Sequence, residues 1–144
     1  RLFYVTTTDF QHFSPARLLF DPGYSSIDAT LVKRSANDYV MVFKDNTRPN
    51  RNLKVAFAND PEGPYSEVSE AFTDSFCEGP SVVKTGDNYT ICFDEYRKFS
   101  YGAVVTSDFK TFRYAGNEVR FPKGHKHGTI LKVPESTVKK MLKK

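Results

Sequence analysis

The chain's 144 residues and 16.4 kDa allow one ordinary domain, or a few supersecondary repeats of about fifty residues each. With 39% hydrophobic and 26% charged residues it is neither disordered nor fibrous, and no apolar run approaches the ~18–20 residues of a membrane span. The net charge of +4 rests on Lys139, Lys140, Lys143 and Lys144 near the end; the body is close to neutral, so neither nucleic acid nor a membrane is expected as a partner.

Aromatic residues make up 15% of the chain, as 13 Phe and 8 Tyr, beside 8 Gly and 8 Pro, which suits short strands joined by tight turns. In chain order, residues 1–24 read as the two outer strands of one unit. Residues 25–74 read as a complete unit. Its strands are expected at 30–34, at 39–44 with Tyr39, Met41 and Phe43 on one face, and at 53–58 with Leu53, Val55 and Phe57 alternating. A turn rich in Asn, Asp, Pro and Gly then leads to a weak strand near 67–72. Residues 75–123 repeat the plan, with strands at 81–84, 89–93, 102–106 and about 118–121. Residues 124–134 supply one more inner strand. Residues 135–144 read as a helix, with Pro134 ahead of it and Val138, Met141 and Leu142 on one face. Cys77 and Cys92 form neither a metal motif nor a disulfide framework and read as buried free thiols.

Two independent motifs recur with a period of about fifty residues. The inner strands begin Ile27-Asp28-Ala29-Thr30, Cys77-Glu78-Gly79-Pro80 and Lys126-His127-Gly128-Thr129, each followed by apolar residues that close on lysine. The second motif centres on Asp9, Asp60 and Asp108, and takes the form Thr/Ser-Asp-Phe-x-x-Phe around Asp9 and Asp108. Four antiparallel strands per unit of this length predict an all-β chain forming a β-propeller of four-stranded blades, with a short C-terminal helix. Residues 1–144 then read as a single, partial propeller domain, to be closed by a missing N-terminal segment or by a second copy.

In such a ring Asp28, Glu78 and His127 are equivalent positions and meet at one mouth of the central channel. The loops that leave the second strands, Lys44-Asp45-Asn46-Thr47-Arg48 and Asp94-Glu95-Tyr96-Arg97-Lys98, open at the same mouth, with Tyr101 beyond. Asp45, Arg48, Tyr96, Arg97, Tyr101 and His127 are therefore the candidate substrate-binding residues. Carboxylates and guanidinium groups suit sugar hydroxyls, and aromatic rings suit the apolar face of a sugar. Arg48 and Arg97 also fit ordinary rim ion pairs, and Tyr96 and Tyr101 also fit packing. Asp9 and Asp108 fall on the opposite face, where their side chains are expected to bond turn backbone.

The Ile-Asp-Ala strand, the Glu-Gly-Pro start and the His-Gly pair resemble the five-bladed propellers of glycoside hydrolase family 43 and its relatives, which include α-L-arabinofuranosidases and β-xylosidases. The resemblance implies that the chain is about half of a five-bladed ring. It implies Glu78 as general acid and Asp28 as the carboxylate that orients and modulates it, in an inverting hydrolysis of furanosidic or xylosidic bonds. A carbohydrate is the implied partner. No cofactor is required, though the family leaves room for a calcium ion in the axial channel near His127. The general base, an Asp of the first blade, matches no residue here. The resemblance further implies a secreted or periplasmic protein. A general acid must hold a proton at working pH, which partial burial and the neighbouring charge of Asp28 favour. Two rival readings remain at this level: a non-catalytic carbohydrate-binding propeller, and a scaffold for protein contacts.

Overall fold

The computed structural model describes residues 1–143. Its elements are β1 (Leu2–Tyr4), β2 (Arg17–Phe20), β3 (Ser26–Ser35), β4 (Asp38–Asp45), β5 (Asn52–Ala58), β6 (Cys77–Thr85), β7 (Asn88–Glu95), β8 (Ser100–Thr106), β9 (Arg113–Tyr114), a 3₁₀ turn at Gly116–Glu118 and α1 (Glu135–Leu142). The strands form three antiparallel meanders in chain order: β1-β2, β3-β4-β5 and β6-β7-β8-β9. The chain is thus all-β with one short helix, and each sheet coincides with one sequence unit.

The sheets are held face to face by strands buried on both sides. Along β4, Val40 and Val42 point to one face and join Leu53 and Val55 against Ile91, Phe93, Val104 and Phe109 of the third sheet. Met41 and Phe43 point to the other face and pack with Phe20, Ala56 and Tyr65. A period-two strand whose two faces are both apolar must lie between two layers. On the far side of the third sheet, Cys92, Ala103 and Ala115 carry Tyr101, Phe121 and Ile130. Both cysteines are 1% exposed, and burial pushes their thiols up to about 11. Alkylation at neutral pH is therefore expected to be slow in the folded protein and complete after denaturation; prompt labelling of the native protein would contradict this. Because the folded chain holds these protons more tightly than the ordinary value of 9.0, stability should fall as pH rises from about 9 toward 11.

Three expected strands differ. Residues 67–72 do not form a fourth strand of the second sheet. Glu67 has a left-handed φ of 51°, and ladder pairing with β5 is limited to an isolated bridge between Phe57 and Ser66. Beyond it Ser69 N and Phe72 N still donate to Val55 O and Leu53 O, at 2.9 and 3.1 Å, but hydroxyls replace the carbonyl acceptors: Leu53 N donates to Thr73 Oγ1 and Val55 N to Ser69 Oγ, both at 3.0 Å. The edge of β5 is satisfied all the same, which is what a sheet edge requires. The fourth strand of the third sheet is β9, earlier than the expected 118–121, a stretch that instead follows the end of the 3₁₀ turn at Glu118. Residues 124–134 form no strand; Ile130 N donates to Ser81 Oγ at 2.9 Å, and among the described residues no ladder forms there. The helix matches the expected span up to Leu142; Lys144 lies outside the described residues.

The recurring aspartates behave as turn residues. Asp9 Oδ1 accepts from the backbone N of Gln11 and His12, and Asp108 Oδ1 from those of Lys110 and Thr111. These bonds hold both carboxyls below the usual carboxylate range.

Candidate active site

Both long inner strands begin with the same distortion. In β3 the pairs Ile27–Lys44 and Thr30–Val42 leave Asp28 and Ala29 opposite the single residue Phe43. In β6 the pairs Glu78–Asp94 and Ser81–Cys92 leave Gly79 and Pro80 opposite Phe93. Each is a bulge whose first residue is left-handed: φ is 54° at Asp28 and 57° at Gly79. This corrects the alignment of the motifs. The structural partner of Asp28 is Gly79, and that of Glu78 is Ile27; the two acids are offset by one residue. Their proximity survives, because Gly79 N donates to Asp28 Oδ2 at 3.2 Å across the gap between the sheets.

Glu78 is the centre of a charged cluster. Lys44 Nζ donates to Glu78 Oε2 at 2.6 Å, with the lysine side chain only 3% exposed. The other oxygen, Oε1, lies 4.0 Å from His127 Nε2, and His127 Nδ1 lies 3.3 Å from Asp94 Oδ2. Asp94 is buried, and its Oδ1 has no protein partner. The imidazole sits over Gly79: a Cβ there would lie 2.5 Å from His127 Cδ2. Gly79→Ala is therefore expected to lower stability by about 1–2 kcal/mol, through its left-handed backbone, and to expel the ring from the cluster. Chemical denaturation, with the His127 ring shift by NMR, checks this; an unmoved ring would contradict it.

Glu78, Asp94 and His127 each offer a ligand atom within 4.8 Å of the others. Calcium favours about six to eight oxygen ligands. Two carboxylates and an imidazole, with one carboxylate already held by Lys44, fall short of that set.

The remaining expected residues divide. Arg48 and Arg97 line one cavity of about 390 Å³ with Pro49, Arg51 and Phe76. Asp45 is 7% exposed and faces its own loop, with Lys54 Nζ 2.9 Å from Oδ2 and Thr47 N donating to Oδ1 at 2.9 Å. Burial raises its carboxyl, but these hydrogen bonds together outweigh that and hold it low. Tyr96 is a packing residue: its ring lies 4.9 Å from Lys44 Nζ and its hydroxyl is buried without a partner. Tyr101 donates to Gly128 O at 3.3 Å and meets His125 edge-on, so it braces the loop that carries His127.

Lys44, Asp94, Arg51 and Phe76 were not singled out from the sequence. A signal existed for Lys44: it continues the Val40–Val42 face of β4, where another apolar residue is expected, so a charge there needs a buried partner.

Stacked antiparallel sheets with an acid, an imidazole and a lysine converging at the start of β6 suit acid–base chemistry on a hydroxylated substrate. The chain belongs to the family 43-related group described as a probable glycosyl hydrolase domain, which it matches over residues 1–138. No curated protein matches it.

Proposed function

We propose that this chain carries the acid half of an inverting glycosidase active site acting on furanosidic or xylosidic bonds of plant-type polysaccharide or oligosaccharide. The bond from Gly79 N to Asp28 Oδ2 carries the reading. It fixes the backbone of the Glu78–Gly79 unit from the neighbouring sheet, so Asp28 positions the acid. Glu78 Oε2 accepts from Lys44, which leaves Oε1, on the His127 side, to hold the proton given to the departing sugar oxygen. His127, half exposed, borders the space a sugar would take.

Inversion needs a second carboxylate about 6.5–9.5 Å from the acid, across a water. Asp28 is committed to Gly79 and Asp94 lies beneath His127, so the base comes from outside these residues. The sheets are read as blades of a propeller, about half of a five-bladed ring. Phe10 supports that reading. It occupies the same left-handed turn as Phe109, yet Phe109 is fully buried against the preceding sheet and Phe10 is 85% exposed. A further blade packed on β1-β2 would cover it.

One contact favours a second reading, a non-catalytic carbohydrate-binding propeller: a buried ammonium directly on Glu78 is also how a purely structural ion pair is built. Proton NMR of the full-length protein acting on arabino- and xylo-oligosaccharides separates the two. The first product is expected with inverted anomeric configuration. Binding without turnover would favour the second reading, and a retained configuration would contradict the mechanism.

A further inference from the structure

Three arginines converge beside the Glu78 cluster with no carboxylate to answer them. Arg48 and Arg51 come from the β4–β5 loop, Arg97 from the β7–β8 loop, and with Phe76 they line the cavity of about 390 Å³. That size lies within the range of small-ligand sites. Among the described residues none of the three guanidinium groups lies in an ion pair, a state shared with Arg120, whereas Arg1, Arg17, Arg34 and Arg113 each have one. Arg51 Nε is buried and unpartnered, an arrangement that costs stability unless something fills it.

The cavity is also held rigidly. Arg97 Cζ stacks 3.6 Å from the centre of the Phe76 ring, which fixes its guanidinium plane. Phe76 N and Cys77 N both donate to Arg51 O, at 2.8 and 3.1 Å. Arg51 and Phe76 hold left-handed backbone, with φ of 48° and 68°, which bulky residues rarely adopt and which concentrates at binding sites. The pocket adjoins the acid: Phe76 lies two residues before Glu78, and its ring meets Tyr96, which packs under Lys44.

We propose that this cavity is a subsite for an acidic sugar, and that the preferred glycan carries a uronic acid unit next to the bond presented to Glu78. A planar carboxylate accepts two parallel N–H bonds from one guanidinium, and three such groups around one cavity would select it over a neutral sugar. The inference rests on the carbohydrate reading of the site and adds the charge of the substrate.

Calorimetric titration of the full-length protein with glucuronate, glucose, glucose 6-sulfate and inorganic sulfate tests it. Glucuronate is expected to bind at least about tenfold more tightly than glucose, the scale of one charge-assisted hydrogen bond. Arg48→Gln and Arg97→Gln, both at exposed positions, should each reduce that advantage, weakening glucuronate binding more than glucose binding. Equal affinity for glucuronate and glucose, or an advantage that survives both substitutions, would overturn the proposal. Glucose 6-sulfate binding above glucuronate would overturn the carboxylate in favour of a sulfate ester. Inorganic sulfate binding as tightly as glucuronate would show an adventitious ion only. None of these ligands has a glycosidic bond to cleave. Failure here leaves the hydrolytic reading standing, and an inactive protein that still prefers glucuronate refutes hydrolysis alone.

Discussion

Replacing Glu78 by glutamine in the full-length protein is expected to lower kcat by about 10²–10⁴-fold on substrates whose leaving group is another sugar, the usual worth of a positioned general acid. Glutamine keeps the shape of the side chain and one oxygen that can still accept from Lys44. The loss should shrink sharply on aryl glycosides whose leaving group departs without a proton. Steady-state kinetics on the two substrate types decides the matter. Equal losses on both would mean that Glu78 binds and does not donate, and unchanged activity on both would remove it from the chemistry.

A larger change at the same position reads out the electrostatics. Glu78→Ala would leave Lys44, 3% exposed, without its carboxylate. Removing one member of a buried ion pair costs about 3–5 kcal/mol, because the remaining charge is stranded away from water. The Tyr96 ring near Lys44 Nζ offsets only part of this. Adding Lys44→Met should recover most of the loss, since a methionine fills the space with no charge to solvate. Urea denaturation of the two single variants and the double variant measures the coupling. A loss under about 1 kcal/mol for Glu78→Ala, or no recovery in the double variant, would show that Lys44 finds another partner.

The sheets were legible in the sequence because alternation and turn chemistry are local. Tyr39, Met41 and Phe43 share a face as expected, and β4 and β5 fall within two residues of their expected bounds. The inner strand at 124–134 was not, because a strand is completed by its neighbour, and an apolar alternation has no ladder without one. The offset of the two acids was hidden for another reason. β3 carries a second irregularity between Lys33 and Ser35, at Arg34, whose guanidinium reaches Asp38 and the Asp108 carbonyl. That extra residue shifts the start of β3 by one place against β6, so a motif match put Asp28 on Glu78 where pairing puts it on Gly79. The cluster was half legible. Glu78, Asp28 and His127 are brought together as expected, whereas Lys44 and Asp94 emerge only once the faces of β4 and β7 are known. The arginine cavity lay further from view: two of its arginines were noted as rim residues, but the left-handed turns that aim Arg51 and Phe76 leave no mark on the residue pattern.

The most direct measurement is a crystal structure of the full-length Glu78→Gln variant with an uncleaved arabino- or xylo-oligosaccharide. The glycosidic oxygen is expected within about 3 Å of the side chain at position 78, with one sugar ring against His127. A sugar bound on the opposite face near Asp9 and Asp108, with water alone at position 78, would contradict it.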